Sequence, residues 1–443
     1  MEASDSKKLD RRAFLGTAAS VVAGSTIATS ALSYGRILGA NDRIALGHIG
    51  IGNRGTELHT MVSHLKGKHN VETVAVCDLW KDNRERAAAS TEKYYGRAPR
   101  AVQYAEDLLA LKDVDAVVIA TPEHSHSPML KAAAEAGKHA YCEKPMGNVL
   151  DEVKAARDAV KRGNLIVQVG TQHRSEPYQL AAREALRTGA LGDVSKYEIV
   201  WNYNGPRWRG RPQVKQIREQ DTDWKKWLLT KPYRPFDPQL YFEFRLYKEF
   251  SSGIPDQWMS HGIDLVHFFM NEEAPRSVVS HGGVYAWHDG RENPDTFQAL
   301  LTYPKGVLVS YSTSFGNDAE STIRLMGKQG TMINYGTEGT PRWKWVEERG
   351  NYEDTPELVR QEKWLSIRGD GGRGPASTPD EDRSHMTNWL DALRAGRQPS
   401  APVEAGFAHS VACIMAARAC REKRALYWNS RSESIIDQPP VEG

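Results

Sequence analysis

The chain has 443 residues and a formal charge of +2, from 58 Lys and Arg against 56 Asp and Glu. That balance excludes a polyelectrolyte built for nucleic acid or acidic membranes, and 40% hydrophobic with 26% charged residues excludes wholesale disorder. The length allows two domains, because single cores stop growing near ~250–300 residues.

Residues 1–40 read as an export signal. SDSKKLDRRAFLG (4–16) supplies a basic start, and TAASVVAGSTIATSALS a modest apolar, small-residue stretch. Arg11-Arg12 before Ala13, Phe14 and Leu15 resembles the twin-arginine signal. It implies transport as a folded protein by the twin-arginine translocase, to the periplasm or another exported location. The stretch is short of the ~20 apolar residues that span a bilayer. No later segment is apolar enough either, so no stable membrane span is expected.

Over 42–172 the sequence predicts a Rossmann dinucleotide-binding domain. RIALGHI (43–49) has strand character, Gly50-Ile51-Gly52-Asn53-Arg54-Gly55 follows at once, and a helical pattern begins near Thr56. Glycines in this setting let the backbone turn and approach a pyrophosphate at a helix N-terminus. The next strand, VETVAVCD, ends at Asp78. An acidic residue there binds the ribose 2′-hydroxyl and repels a 2′-phosphate, favouring NAD over NADP. VDAVVIA (114–120) reads as a buried parallel strand. Thr121, Pro122, His124 and His126 sit at its carboxyl end, where α/β folds bind ligands, and are candidates for the cofactor side. The strands HAYCE and the one ending at Val169 place Glu143-Lys144-Pro145 and Gln172-His173 at the same edge. Cys77, Cys142, Cys413 and Cys420 form no close pair, so neither a disulfide framework nor a metal site is expected.

Residues 173–402 predict an α+β substrate and oligomerisation domain. Strand-like patches are VSKYEIVWNY, RSVVSHGGVYAW, DTFQALLTYP, GVLVSYSTSF and STIRLMGKQGTMINY. Their apolar–polar alternation suits a half-exposed sheet. A helix is expected near 256–270, DQWMSHGIDLVHFFM. Residues 350–383 read as a long polar loop. A last helix near 404–422, within a closing segment 403–443, is expected to return to the first domain. Eleven of the twelve tryptophans lie beyond residue 200. Aromatic faces among Arg, Asn and Asp suit sugar rings, so Tyr203, Arg245, Tyr247 and Trp258 are candidates for a substrate pocket.

GIGNRG (50–55), TPEHSH (121–126), EKP (143–145), GTQHR (170–174) and HGID (261–264) together resemble the glucose–fructose oxidoreductase, inositol dehydrogenase and rhizopine-catabolism family over about 42–430. The resemblance implies a Rossmann domain followed by a large open, mainly antiparallel sheet, and a homo-oligomer. It also implies that Lys144 lies beside the nicotinamide and substrate, with Glu143 orienting it and a cis bond at Pro145, and that His261 serves acid–base chemistry. Many members carry an aspartate four residues before that histidine. Here Gln257 fills the slot and Asp256 stands one residue earlier. Either Asp256 reaches in, or Lys144 and His261 act alone.

The expected activity is NAD-dependent oxidation of a CH–OH group of a sugar or glycoside, with a tightly held, internally recycled cofactor. A redox-cycling glycosidase, which oxidises, eliminates, hydrates and reduces, is the second reading. Its relatives carry a Tyr-x-x-His-Gly-like motif, and here Trp258-Met259-Ser260-His261-Gly262 keeps only the His-Gly. A non-catalytic nucleotide or glycan sensor is a third class, favoured mildly by Gln257 and opposed by intact Lys144 and His261.

Overall fold

The computed structural model describes residues 43–319, 321–335, 343–348, 361–365 and 380–440. The export signal expected over 1–40 lies outside the described residues.

Six short strands follow one another with helices between: β1 Ile44–Ile49, β2 Val71–Cys77, β3 Arg100–Val102, β4 Ala116–Ile119, β5 His139–Cys142 and β6 Val167–Val169. All pair in parallel, in the order β3-β2-β1-β4-β5-β6. Every residue of β1, β4, β5 and β6 is buried. Helices cover both faces of a parallel sheet, so its strands carry apolar side chains on both sides. The strand order reverses between β1 and β4, which opens a crevice at their carboxyl ends.

The second sheet has ten of the eighteen strands found among the described residues. The remaining strands are β7 Val194–Val200, β8 Tyr203–Asn204, β9 Ser277–Gly283, β10 Thr296–Thr302, β11 Leu308–Ser314, β12 Gly316–Asn317, β13 Thr322–Gly327, β14 Gly330–Tyr335, β15 Trp343–Glu347, β16 Glu362–Trp364, β17 Leu426–Asn429 and β18 Ser434–Ile436. Their order is β16-β15-β14-β13-β7-β11-β10-β9-β17-β18, antiparallel except where β11 meets β7, and β8 with β12 forms a separate ribbon. In β10 buried Phe297, Ala299 and Leu301 alternate with exposed Gln298, Leu300 and Thr302. The buried row faces helices Ser260–Met270 and Val403–Glu422 in one shared core. The five expected patches all hold strands; β12 and β15 to β18 add to them.

Helix Val403–Glu422 wedges between the domains. It touches β9 and helix Ser260–Met270 on one side, and β6 and helix Leu150–Arg162 on the other. Helix Asp380–Ala395 lies on the first sheet, packing Met386, Trp389 and Leu390 with Leu46, Val62 and Tyr141. The closing strands β17 and β18 belong instead to the large sheet. Of the polar stretch 350–383, the described part holds β16 and the first turn of helix Asp380–Ala395, and the rest lies outside the described residues. Among the described residues no helix is long and apolar enough to cross a membrane.

Between β8 and β9 the chain makes an excursion of short helices, including Trp224–Leu228 and Pro238–Glu243. Its aromatic residues do not stand as an open platform. Trp224, Trp227, Tyr241, Phe244 and Phe250 bury themselves against Trp80 of the first domain. The aromatic richness that suggested sugar stacking is here mostly a small core that fixes the excursion across the first domain.

Candidate functional site

The carboxyl ends of β1, β2, β4 and β5 open into one cleft of about 880 Å³, closed from above by the excursion and the second domain. Gly50, Gly52, Asn53, Arg54, Asp78, Thr121, Pro122, His126, Glu143, Lys144, Gln172, Arg245, Gln257 and His261 all line it.

The glycine turn follows from its sterics. Gly50 has φ +85°, and a Cβ there would stand 2.8 Å from the Ala120 carbonyl oxygen. A Cβ on Gly55 would fall 2.0 Å from the Gly50 carbonyl oxygen. A Cβ on Gly52 would meet nothing within 4 Å, because Gly52 faces the cleft. An open glycine at the start of helix Asn53–His69 is the cradle a dinucleotide pyrophosphate fits. Asp78 directly follows β2, accepting from the amides of Ile51 (2.7 Å) and Trp80 (2.9 Å) and from Asn83 (3.2 Å). Burial pushes its carboxyl up, against the pull of those amides. Ile51 is itself buried and acts through its amide.

His124 and His126 part company. His124 is buried away from the cleft, with Nε2 3.0 Å from the Trp227 carbonyl oxygen and its ring against Trp227 and Phe250. Burial pushes its pKa down to about 4. His126 ties two motifs together, its ring nitrogens each 2.7 Å from the carbonyl oxygens of Thr121 and Pro145.

Lys144 precedes a cis peptide bond to Pro145. Its Nζ donates to the carbonyl oxygen of Gln257 at 2.6 Å. Burial pushes the ammonium down to about 8, while Glu143 and Glu123 pull the other way. Glu143 accepts from Arg54 Nε at 2.8 Å and from the Lys144 amide at 3.1 Å. Gly170 makes room for it, since a Cβ there would stand 2.9 Å from the Glu143 carboxyl.

A carboxylate of the first domain meets Gln257. Glu123, inside TPEHSH, is fully buried and accepts from Gln257 Nε2 and Ser251 Oγ, each at 2.5 Å. It also pairs with Arg245 Nε at 2.5 Å. Gln257 therefore links Glu123 to Lys144, with its side chain on one and its carbonyl on the other. Asp256 does not reach in as a substrate contact. It is fully buried, and its Oδ2 accepts from the Ser252 amide at 2.6 Å. Burial and nearby Glu123 push it up to about 7. Residues Pro255–Met259 form a π-helical turn before helix Ser260–Met270, which displaces the simple α-helical geometry the spacing suggested.

His261 is buried, with Nδ1 unpartnered by any described residue. Burial, then Lys144 and His173, hold its pKa well below the ordinary value, so the ring is neutral. The His173 ring meets it edge-on at 4.7 Å. His173 Nδ1 is hydrogen-bonded to Glu176, whose carboxylate is fully buried. Glu176 is a second site residue that sequence reasoning missed. The signal was a carboxylate three residues after His173 at a helix start.

The remaining substrate candidates lie beyond His261. Trp258 packs on Trp201 at 4.8 Å and on Phe315 at 5.1 Å, and belongs to the core. Tyr203 is exposed at the edge of that group, 6.1 Å from Trp258. Tyr247 packs between the large core and the excursion. Of the four proposed pocket residues, only Arg245 lines the cleft.

Comparison with known proteins adds two kinds of likeness. The family profile described as oxidoreductase family, NAD-binding Rossmann fold, matches residues 44–171, and that of the family's C-terminal alpha/beta domain matches 229–428. A glycosyl hydrolase family 109 protein of Shewanella baltica (strain OS185) is 29% identical over 247 residues, 50% of this chain and 51% of that protein. Levoglucosan dehydrogenase of Pseudarthrobacter phenanthrenivorans is 41% identical over 85 residues, 19% of this chain and 22% of that one. The chain matches about half the length of the family 109 proteins, 51% for the Shewanella baltica one. Among solved structures, levoglucosan dehydrogenase with NADH superimposes with a TM-score of 0.65 at 18% identity, covering 90% of this chain and 100% of that one. Aldose–aldose oxidoreductase from Caulobacter crescentus gives 0.63 at 18% identity, covering 87% and 99%. At such identities these structures speak for the fold alone.

Proposed function

Because the chain belongs to the oxidoreductase family of glucose–fructose oxidoreductase, inositol dehydrogenase and the rhizopine-catabolism proteins, we propose that it oxidises a CH–OH group of a sugar or glycoside with a retained NAD. The observation that carries this reading is Lys144, a half-buried amine pushed down to about 8 by loss of solvent, facing the same cleft as Gly52 and neutral His261.

When bound, NAD supplies the hydride-accepting chemistry. Gly50, Gly52 and Gly55 shape the pyrophosphate cradle, and Asp78 stands where a ribose hydroxyl needs an acceptor, favouring NAD over NADP. Lys144, once neutral, takes the substrate hydroxyl proton. The Gln257 carbonyl fixes the amine, and Glu123 fixes Gln257. Neutral His261 donates to or accepts from the same oxygen. His173, oriented by Glu176, stands beside it on the solvent side.

Retention of the cofactor is supported by the excursion. It is tied to the first domain near the ends of β2 and β3 by the ion pair of Lys226 with Glu106 at 2.5 Å and by the Tyr104 hydroxyl, which donates to Asp223 at 3.2 Å, with Phe242 on Trp80 at 5.2 Å. A strap over that end slows nucleotide release and suits a closed redox cycle. Export with cofactor aboard through the twin-arginine route is part of the proposal, and Arg11-Arg12 is its support. So is self-association, supported by exposed Val279, Leu300 and Leu308 on neighbouring strands of the large sheet.

The names of the family 109 relatives, one of them an alpha-N-acetylgalactosaminidase of Shewanella oneidensis, favour a second reading, the redox-cycling glycosidase. Product mass spectrometry on free sugars and simple glycosides separates the two. A product two hydrogens lighter with its glycosidic bond intact means net oxidation. A split glycoside with no net oxidation means the cycling hydrolase. Protein that binds no nucleotide and alters no sugar overturns both.

A further inference from the structure

The loop 207–211 holds three arginines, Arg207, Arg209 and Arg211. A single buried carboxylate, Glu243, pins this loop. Its Oε1 accepts from the amides of Gly210 at 2.7 Å and Arg211 at 3.1 Å, and its Oε2 from Arg209 at 2.6 Å and Gln239 at 3.2 Å. Arg209 also meets Asp289, which is itself held by Arg291. The acceptors of that corner are thus engaged. Arg211, half-buried, lines the same cleft as Arg245, Gln257 and His261, and lies near enough to Arg245 and Arg207 to feel their charge. Among the described residues neither Arg207 nor Arg211 has an ion-pair partner. Arg207 instead lies over the rings of Tyr203 at 5.1 Å and Trp258 at 5.6 Å. Arg245, which also lines the cleft, is paired with Glu123.

A half-buried guanidinium without a carboxylate costs free energy unless an anion joins it. Burial and the repulsion of Arg245 and Arg207 lower the Arg211 pKa, and Glu243 only partly opposes them. Planar guanidinium forks match carboxylate, sulfate and phosphate oxygens. Resting on the sugar-oxidation reading above, we propose that the substrate is an anionic sugar whose acidic group is bound by Arg211, with Arg207 at the rim.

The test uses the NAD-loaded full chain. Turnover and calorimetric binding are measured on matched pairs: glucuronate with glucose, galacturonate with galactose, and glucose 6-sulfate and 6-phosphate with glucose. The wild type is expected to favour the acidic member at least tenfold. Arg211→Gln is expected to cut the acid-to-neutral ratio by about ten- to a hundredfold, the range of a hydrogen bond to a charged group. Arg207→Gln should cut it less. A preference for carboxylates alone identifies uronates, and one for the sulfate or phosphate identifies substituted sugars. Equal handling of both pair members overturns the proposal, as does a ratio unmoved in Arg211→Gln. Weakened NAD affinity in that variant with an unchanged ratio assigns the guanidinium to the cofactor and also overturns it. If nothing is oxidised, acid-selective, Arg211-dependent binding still supports the anion site while the oxidation reading fails. If no acid binds either, both fail.

Discussion

Lys144 Nζ and the main-chain carbonyl of Gln257 stand 2.6 Å apart, joining the first domain to the π-helical turn of the second. A main-chain acceptor orients an amine without adding a full negative charge. Burial can then depress the pKa, which a carboxylate partner would have opposed.

Lys144→Ala is expected to keep nucleotide binding and lose turnover by about 10²–10⁴-fold, the usual worth of a positioned acid–base group. In the wild type, oxidation needs the neutral amine. The rate kcat/KM for oxidation should therefore rise with pH through a midpoint near 8, and the reverse reduction should fall through the same midpoint. Turnover by the alanine variant at the wild-type rate would remove the lysine from the chemistry.

Glu123 should set where that midpoint lies. Its negative charge favours the ammonium form of Lys144. In Glu123→Gln the ammonium loses that support, so the midpoint moves below the wild-type value, toward lower pH. The same change unpairs Arg245 and slackens Gln257, so maximal turnover falls as well. Matched pH–rate profiles check both effects. A midpoint that rises, or stays put, contradicts the linkage.

Much of this site is legible in the sequence, and the part that is not has a physical reason. Gly50 to Gly55 and Asp78 sit at a strand–turn–helix and a strand end, where local chemistry suffices to find them, whereas Lys144 and His261 are picked out by the EKP and HGID motifs of the family resemblance. The partner of Gln257 is 134 residues away, on the other domain. No periodicity connects Glu123 to it, and a glutamate after a strand reads as a surface residue. Adjacency in sequence alone made Asp256 one of two alternatives for the slot, the other being Lys144 and His261 acting alone. The chain forms a π-turn there, and the side chain is spent on the Ser252 amide. The tryptophans misled in the same way. Composition shows that aromatic residues are plentiful, but only packing shows that Trp224 and Trp227 stack on each other and share a small core with Trp80, with Trp227 also at the cleft wall.

Arg174 and Asp264 form a buried ion pair at 2.7 Å, linking the end of β6 to helix Ser260–Met270. Burial alone would raise the Asp264 carboxyl, but Arg174 and His409 outweigh it and hold the group below its ordinary value. The carboxylate therefore contributes stability above the unfolded pKa of about 4, lost as pH falls through the folded value. Asp264→Asn leaves Arg174 buried and unpaired, and should cost about 3–5 kcal/mol in urea unfolding. It should also flatten the acid limb of the stability curve. An unchanged limb would mean that other carboxylates control acid unfolding.

Two glycine substitutions separate binding from folding at the nucleotide turn. Gly52→Ala adds a methyl group that meets nothing within 4 Å. Its fold and Tm should match the wild type, while nucleotide affinity drops, because the methyl fills the space through which a pyrophosphate approaches the helix amides. Gly55→Ala places its methyl 2.0 Å from the Gly50 carbonyl oxygen. Backbone must move to relieve that contact, so this variant should lose stability by about 1–3 kcal/mol, the usual cost of overpacking. Thermal melts and nucleotide titrations on the two proteins check the contrast. If Gly52→Ala binds NAD as tightly as the wild type, the pyrophosphate does not lie on this turn, and the cradle assigned to Gly50, Gly52 and Gly55 is wrong.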